Sequence, residues 1–191
     1  MKNMKKIAIF SILALAAIVM VSACKSKPAE NTEQPKETAV VNLHPEDLEV
    51  LVNADWDAVP QGLLNNIGIK PLNSFKQEVK DAQCDNLQYY YGNGASVELD
   101  KEGQPVKIAS DDENAVVVYL TAESVAYGTI AFRNEADYNE FMKKANAIKE
   151  SKEKAGEELD MEFEGKGKNT EGDETGYEKD KWYFVYFTYN K

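Results

Sequence analysis

LQYYYGNGASVELDKEGQPVKIASDDENAVVVYLTAESVAYGTIAF, residues 87–132, decides the fold. Leu87 to Tyr91, Ala95 to Leu99, Val106 to Ala109, Ala115 to Thr121 and Ser124 to Phe132 are rich in β-branched and aromatic side chains, which suit a pleated, half-buried surface. Between these runs stand Gly92-Asn93-Gly94, Lys101 to Gly103 and Ser110 to Asn114, residues that turn a chain through positive φ or local side-chain hydrogen bonds. Connections this short join antiparallel neighbours, because a parallel crossover takes a dozen residues or more. The stretch predicts a meander.

Downstream the period changes. Asn134 can cap a helix on which Tyr138, Phe141, Met142, Ala145 and Ile148 form one apolar stripe, with fraying expected toward Gly156. Trp182 to Tyr189 carries bulky residues at both parities and reads as a strand covered on one side and partly on the other. Leu159, Met161 and Phe163 alternate with acids and suit its hairpin partner.

Upstream, Pro45 followed by Glu46 and Asp47 starts a helix with Leu48, Leu51 and Val52 on one face. A second short helix runs from Pro60 through Leu63, Leu64 and Ile67 to Gly68. A third is predicted over Ser74–Ala82, where Ser74 and Gln77 form a capping-box pattern and Phe75, Val79 and Ala82 share a stripe. These elements predict one α+β domain over residues 41–191, an antiparallel sheet of about five to seven strands with helices packed on one face. Residues 156–180 hold ten acids and three lysines and are expected to form a mobile acidic loop.

The first forty residues set an address. Lys2, Lys5 and Lys6 precede fifteen residues, Ile7 to Val21, of which only Ser11 is polar. A spanning helix needs about 20 apolar residues, so the run reads as a cleavable signal over residues 1–23. Val21-Ser22-Ala23-Cys24 resembles the lipobox of bacterial lipoproteins. That resemblance implies diacylglyceryl transfer to the Cys24 thiol, cleavage between Ala23 and Cys24, acylation of the freed amine with a fatty chain such as palmitate, and residence in the membrane through that lipid. One chain binds reversibly and two or more hold firmly. Lys25, where inner-membrane retention in enterobacteria uses aspartate, implies the outer membrane with the domain facing the periplasm; the partial match of Lys25-Ser26-Lys27 to a surface-export signal leaves surface exposure open. Residues 24–40, with Pro28 and Pro35 and no apolar period, read as a flexible tether. The lysine-rich, arginine-poor acidic chain is also similar in composition to small lipoproteins of the Bacteroidetes, a resemblance that implies no activity.

Charge narrows the partners. The whole chain is formally −11, and residues 1–23 hold three of its 22 basic residues and none of its 33 acids, leaving a mature chain at −14. Arg133 is the sole arginine. Nucleic acid, which demands a basic face, is excluded as a partner.

Candidate chemistry is sparse. The one histidine, His44, stands beside Pro45 at the end of the tether, where no nucleophile is signalled. Cys84 is the only cysteine besides Cys24 and reads as a small hydrophobe. Gly165 to Thr170 misses the spacing of a phosphate-binding loop. No cofactor and no metal site is expected, although Asp173 and Glu174 are the place where the acidic loop would respond to a cation. Carboxylates are numerous enough that some pair falls at glycosidase spacing without the sequence naming it.

The ten tyrosines are more suggestive. In a strand, Tyr90 points opposite Tyr89 and Tyr91, which leaves one set for an aromatic binding surface, named here as Tyr89, Tyr91, Tyr183, Phe187 and Tyr189. The expected function is a non-enzymatic envelope module binding a protein, peptide or glycan through its sheet. A small carboxylate-dependent hydrolase and a cation-responsive acidic loop are the alternatives. A binding module predicts exposed aromatics on the sheet; a hydrolase predicts a pocket holding a carboxylate with raised pKa.

Overall fold

The computed structural model describes residues 41–54, 58–79, 84–121, 125–170 and 176–190. The tyrosine run lies in β2 (Cys84–Asn93), which pairs on one side with β1 (Lys70–Val79) and on the other with β5 (Val116–Thr121). Beyond β5 come β6 (Val125–Phe132), β8 (Tyr183–Asn190) and β7 (Met161–Lys168), giving one six-stranded sheet in the order β1-β2-β5-β6-β8-β7. Every pairing in it is antiparallel. Among the described residues three helices join it in one compact α+β domain: α1 (Pro45–Asn53), α2 (Gln61–Ile67) and α3 (Glu135–Ala155).

Helix ends follow local chemistry. Pro45 occupies the first position of α1, and the Asp47 carboxylate accepts the His44 backbone N–H at 2.8 Å. Helix α2 stops at Gly68, whose φ of 83° few side chains tolerate. At the start of α3 the Asn134 side chain accepts the Ala136 N–H at 2.8 Å; the helix runs without fraying to Gly156 in the same left-handed conformation.

All three helices lie on one face of the sheet. Leu48, Leu51 and Val52 of α1, Leu64 and Ile67 of α2, and Phe141 and Ala145 of α3 pack on Tyr89, Tyr91, Val116, Val118, Leu120, Ile130, Phe132, Val185 and Phe187. Removing a side chain such as Phe141 or Phe187 from water contributes about 1.5–3 kcal/mol, and this face holds the larger of the two buried clusters.

The meander is interrupted. β3 (Ser96–Leu99) and β4 (Pro105–Ala109) pair with each other but form a separate ribbon folded over the opposite face, and β2 passes beneath it to pair with β5. Val97 and Ile108 of the ribbon pack with Tyr90, Val117, Ala131, Trp182 and Phe184 in a second cluster. The Ile108 N–H donates to the Gly176 carbonyl at 2.6 Å and the Asn73 amide to the Val97 carbonyl at 3.0 Å, which fix the ribbon in place.

Two further expectations are corrected. Residues 70–79 are strand β1, not part of a helix over 74–82, because the backbone finds a ladder on β2 from Lys70↔Gly92 to Val79↔Cys84, broken by one bulge between Pro71 and Asn73 and regular from Asn73 onward; Ala82 lies outside the described residues. The stretch 156–180 is not a single loop, since residues 161–168 are edge strand β7, paired with β8. Glu162 and Glu164, counted as loop acids, are exposed side chains of that strand.

Candidate binding face of the sheet

The five aromatics singled out in the sequence share one face, and it is the covered one. Tyr89 and Tyr91 stack on each other at 6.4 Å and are buried, and Phe187, also buried, meets Phe163 at 6.2 Å. Tyr183 is half-buried against Tyr138 at 5.7 Å; its hydroxyl donates to Glu135 at 3.1 Å, and desolvation together with that carboxylate raises its pKa. Tyr189 is half-buried and its hydroxyl accepts the Asn53 amide at 2.9 Å. Tyr89, Tyr91 and Phe187 are core residues and form no binding surface: the helices occupy the side they face.

The opposite parity behaves differently. On that side β5, β6 and β8 carry three successive rows across the sheet. The row under the ribbon is Val117, Ala131 and Phe184, all buried. The next is Tyr119, Thr129 and Tyr186, in register by Tyr119↔Thr129 and Thr129↔Tyr186. The third is Thr121, Tyr127 and Thr188: Tyr127 pairs with Thr188, and the Thr121 hydroxyl donates to the Tyr127 carbonyl at 3.2 Å. Tyrosine and threonine therefore alternate in both directions, a checkerboard three strands wide and two residues deep.

Tyr127 and Tyr186 are 43% and 47% exposed, the two large aromatics most open to solvent among the described residues. Thr188 is exposed, Tyr119 and Thr129 are half-buried, and Thr121 is buried. The Tyr119 ring lies 4.9 Å from that of Tyr90, whose phenol is pushed up to about 12 by burial. None of the six positions carries a formal charge. Charge begins at the margin, on β7, where Glu164 stands opposite Tyr186 and Glu162 opposite Thr188. Lys166 pairs with Glu164 and places its ammonium 5.3 Å from the centre of the Tyr186 ring.

The array offers phenol and alcohol hydroxyls, each both donor and acceptor, around two amphipathic rings. It contains no nucleophile paired with a base. His44 is remote from it, ahead of α1, with Nε2 2.8 Å from the Asn42 side-chain oxygen. The alternation of Ser124–Phe132 and Trp182–Tyr189 was the signal available for this site, but alternation tells which residues share a face and not which face the helices take.

Concave sites lie elsewhere, among them an open, charged depression of about 360 Å³ lined by Glu113, Arg133, Lys168, Asp180 and Tyr183. A cavity of about 170 Å³ opens between the start of the domain and α3, floored by Leu43, Val116, Phe132 and Phe141 and rimmed by Asn42 and Asp137. Partial desolvation raises the pKa of the Asp137 carboxyl, although the residue as a whole is exposed. Small-molecule pockets usually enclose about 300–1,000 Å³, so this one holds no more than a small group.

Among the described residues no set of three or more His, Cys, Asp or Glu side chains is placed to hold a metal, and no helix is long and apolar enough to cross a membrane. Cys24 and Ala23 of the tetrapeptide that resembles a lipobox, and Asp173 and Glu174 of the acidic segment, lie outside the described residues, as does the side chain of Cys84. Compared with protein-family models, with curated proteins and with solved structures, the chain matches none of them.

Proposed function

We propose that this protein is a lipid-anchored cell-envelope module that binds a partner, without transforming it, through the Tyr/Thr face of β5, β6 and β8. The observation that carries the reading is the exposure of Tyr127 and Tyr186 within an uncharged array on an acidic chain. Exposed aromatics bordered by polar groups are a recurrent composition of binding surfaces, where rigid amphipathic rings supply contact area at small entropic cost. The address rests on the lipobox resemblance of Val21-Ser22-Ala23-Cys24, with the outer membrane as the proposed location.

A photo-reactive benzophenone side chain placed at position 186, 127 or 183 in living cells tests the binding face. Adducts at 186 and 127 with none at 183 are expected; adducts at 183 alone would refute it. Cys24→Ser tests the anchor, with loss of palmitate labelling and accumulation of unprocessed precursor as the expected result.

A hydrolase is the second reading, favoured by the Asp137 carboxyl beside a cavity with an apolar floor and a polar rim. It requires an activity that Asp137→Asn abolishes, and a wild-type chain inert toward envelope polysaccharide and peptide substrates would remove it.

A further inference from the structure

We infer that the Tyr/Thr checkerboard on β5, β6 and β8 is a subsite for an uncharged glycan; this rests on the binding reading above and names the class of ligand. The first argument is size. Strands stand about 4.8 Å apart and alternate residues about 6.8 Å apart along a strand, so three strands by two rows cover roughly 200 Å². A stable protein partner needs about 800 Å² on each side. A patch this small matches a few sugar rings.

The second argument is chemical. Tyr127 and Tyr186 are diagonal neighbours across β6 and β8, since Tyr127 pairs with Thr188 two residues along from Tyr186. Such diagonal positions lie about 7–8 Å apart, which presents two rings side by side to successive sugars. The apolar C–H face of a pyranose lies against a tyrosine ring, while its hydroxyls find Thr129, Thr188 and the phenols within the same array.

Other ligands fit worse. Polyanions meet Glu162 and Glu164 at the margin of a chain whose net charge is −11. A cationic ligand finds no carboxylate within the array, and Glu164 is already paired with Lys166. An extended peptide satisfies its backbone by adding to a sheet edge, here β1 or β7, and a sheet face offers it no ladder. A lipid chain gains nothing from threonine hydroxyls.

Affinity electrophoresis of the full chain in detergent micelles tests the inference, in native gels containing soluble β-glucan, arabinoxylan, galactomannan or amylopectin, with polygalacturonate as the anionic control. Retardation by at least one neutral polymer and not by polygalacturonate is expected. Tyr127→Ala and Tyr186→Ala should each weaken it about tenfold, the effect of one aromatic stacking contact, while Tyr186→Phe keeps the ring and most of the affinity. An unchanged thermal midpoint shows that the alanine variants remain folded. No retardation by any neutral polymer, or retardation that survives the double alanine variant, overturns the glycan assignment. The cross-linking experiment separates the two levels: protease-sensitive adducts at position 186 without retardation identify a protein partner and sink the glycan alone. Neither adduct nor retardation sinks the binding reading too.

Discussion

The two faces of the six-stranded sheet are made from the same strands and do opposite things. On β8 the odd positions Tyr183, Val185, Phe187 and Tyr189 face the helices, while the even positions Phe184, Tyr186 and Thr188 run from beneath the β3–β4 ribbon out to solvent. A β-strand alternates its side chains at every residue, so stability and recognition are assigned to alternate positions of one segment. The helix-covered face is apolar along its length; the other is sealed at one end and polar, aromatic and open at the other.

The largest expected effect comes from truncating the covered side. Phe187→Ala should cost about 3–5 kcal/mol, the range for removing a buried phenylalanine, whereas its neighbour Tyr186→Ala should cost less than about 1 kcal/mol, as at exposed positions. Urea denaturation of the two variants gives the contrast directly, and equal losses would break the comparison.

Next comes the sealed end of the other face. The Tyr90 phenol titrates at about 12 in the folded chain because it is buried, against about 10 in an unfolded one. A pKa raised by folding contributes stability that is fully present below pH 10 and is lost as pH rises from 10 to 12. The loss is about 2–3 kcal/mol by linkage. Alkaline denaturation followed by phenolate absorbance measures it, and Tyr90→Phe should make the dependence shallower over that window, the remainder coming chiefly from Tyr177, whose pKa burial also raises.

A smaller effect tests how closely the strands pack. A Cβ at Gly128 would meet the Tyr119 backbone carbonyl and the Phe187 ring, so Gly128→Ala should destabilise by about 1–3 kcal/mol, the usual cost of overpacking. A neutral thermal midpoint would show that the β5–β6 pairing gives way more easily than described.

Most of the architecture was legible because it is local. Pro45 and Gly68, Asn134 and Gly156, and the short turns after β3 and β4 mark their elements by residue chemistry alone. What was not legible depends on partners distant in sequence. Phe75, Gln77 and Val79 sit as well at period two as Phe75 and Val79 do on a helical stripe, and only the ladder to β2 chooses between them. Likewise the Gly92-Asn93-Gly94 connection permits β2 and β3 to pair. The ribbon instead folds over the sheet because Val116, Val117 and Val118 of β5, buried on both faces, need neighbours on both sides, and Gly92 has no side chain to meet the Val116 carbonyl.

The binding face was misplaced for a related reason. Parity joins Tyr89 to Tyr91 and, separately, Tyr183 to Phe187 and Tyr189, without saying which face either set takes; the helices settle on both because they are continuous with Val116, Val118, Leu120 and Ile130. The polar alternation of Thr121, Thr129 and Thr188 was the better guide to the open side.

Tyrosine nitration of the native chain with tetranitromethane, mapped by mass spectrometry, tests the division between the faces most directly. Tyr127 and Tyr186 should be modified first, while Tyr89, Tyr90, Tyr91 and Tyr177, all buried, should stay unmodified until denaturant is added. Nitration of Tyr89 and Tyr91 as fast as Tyr127 and Tyr186 would contradict the account.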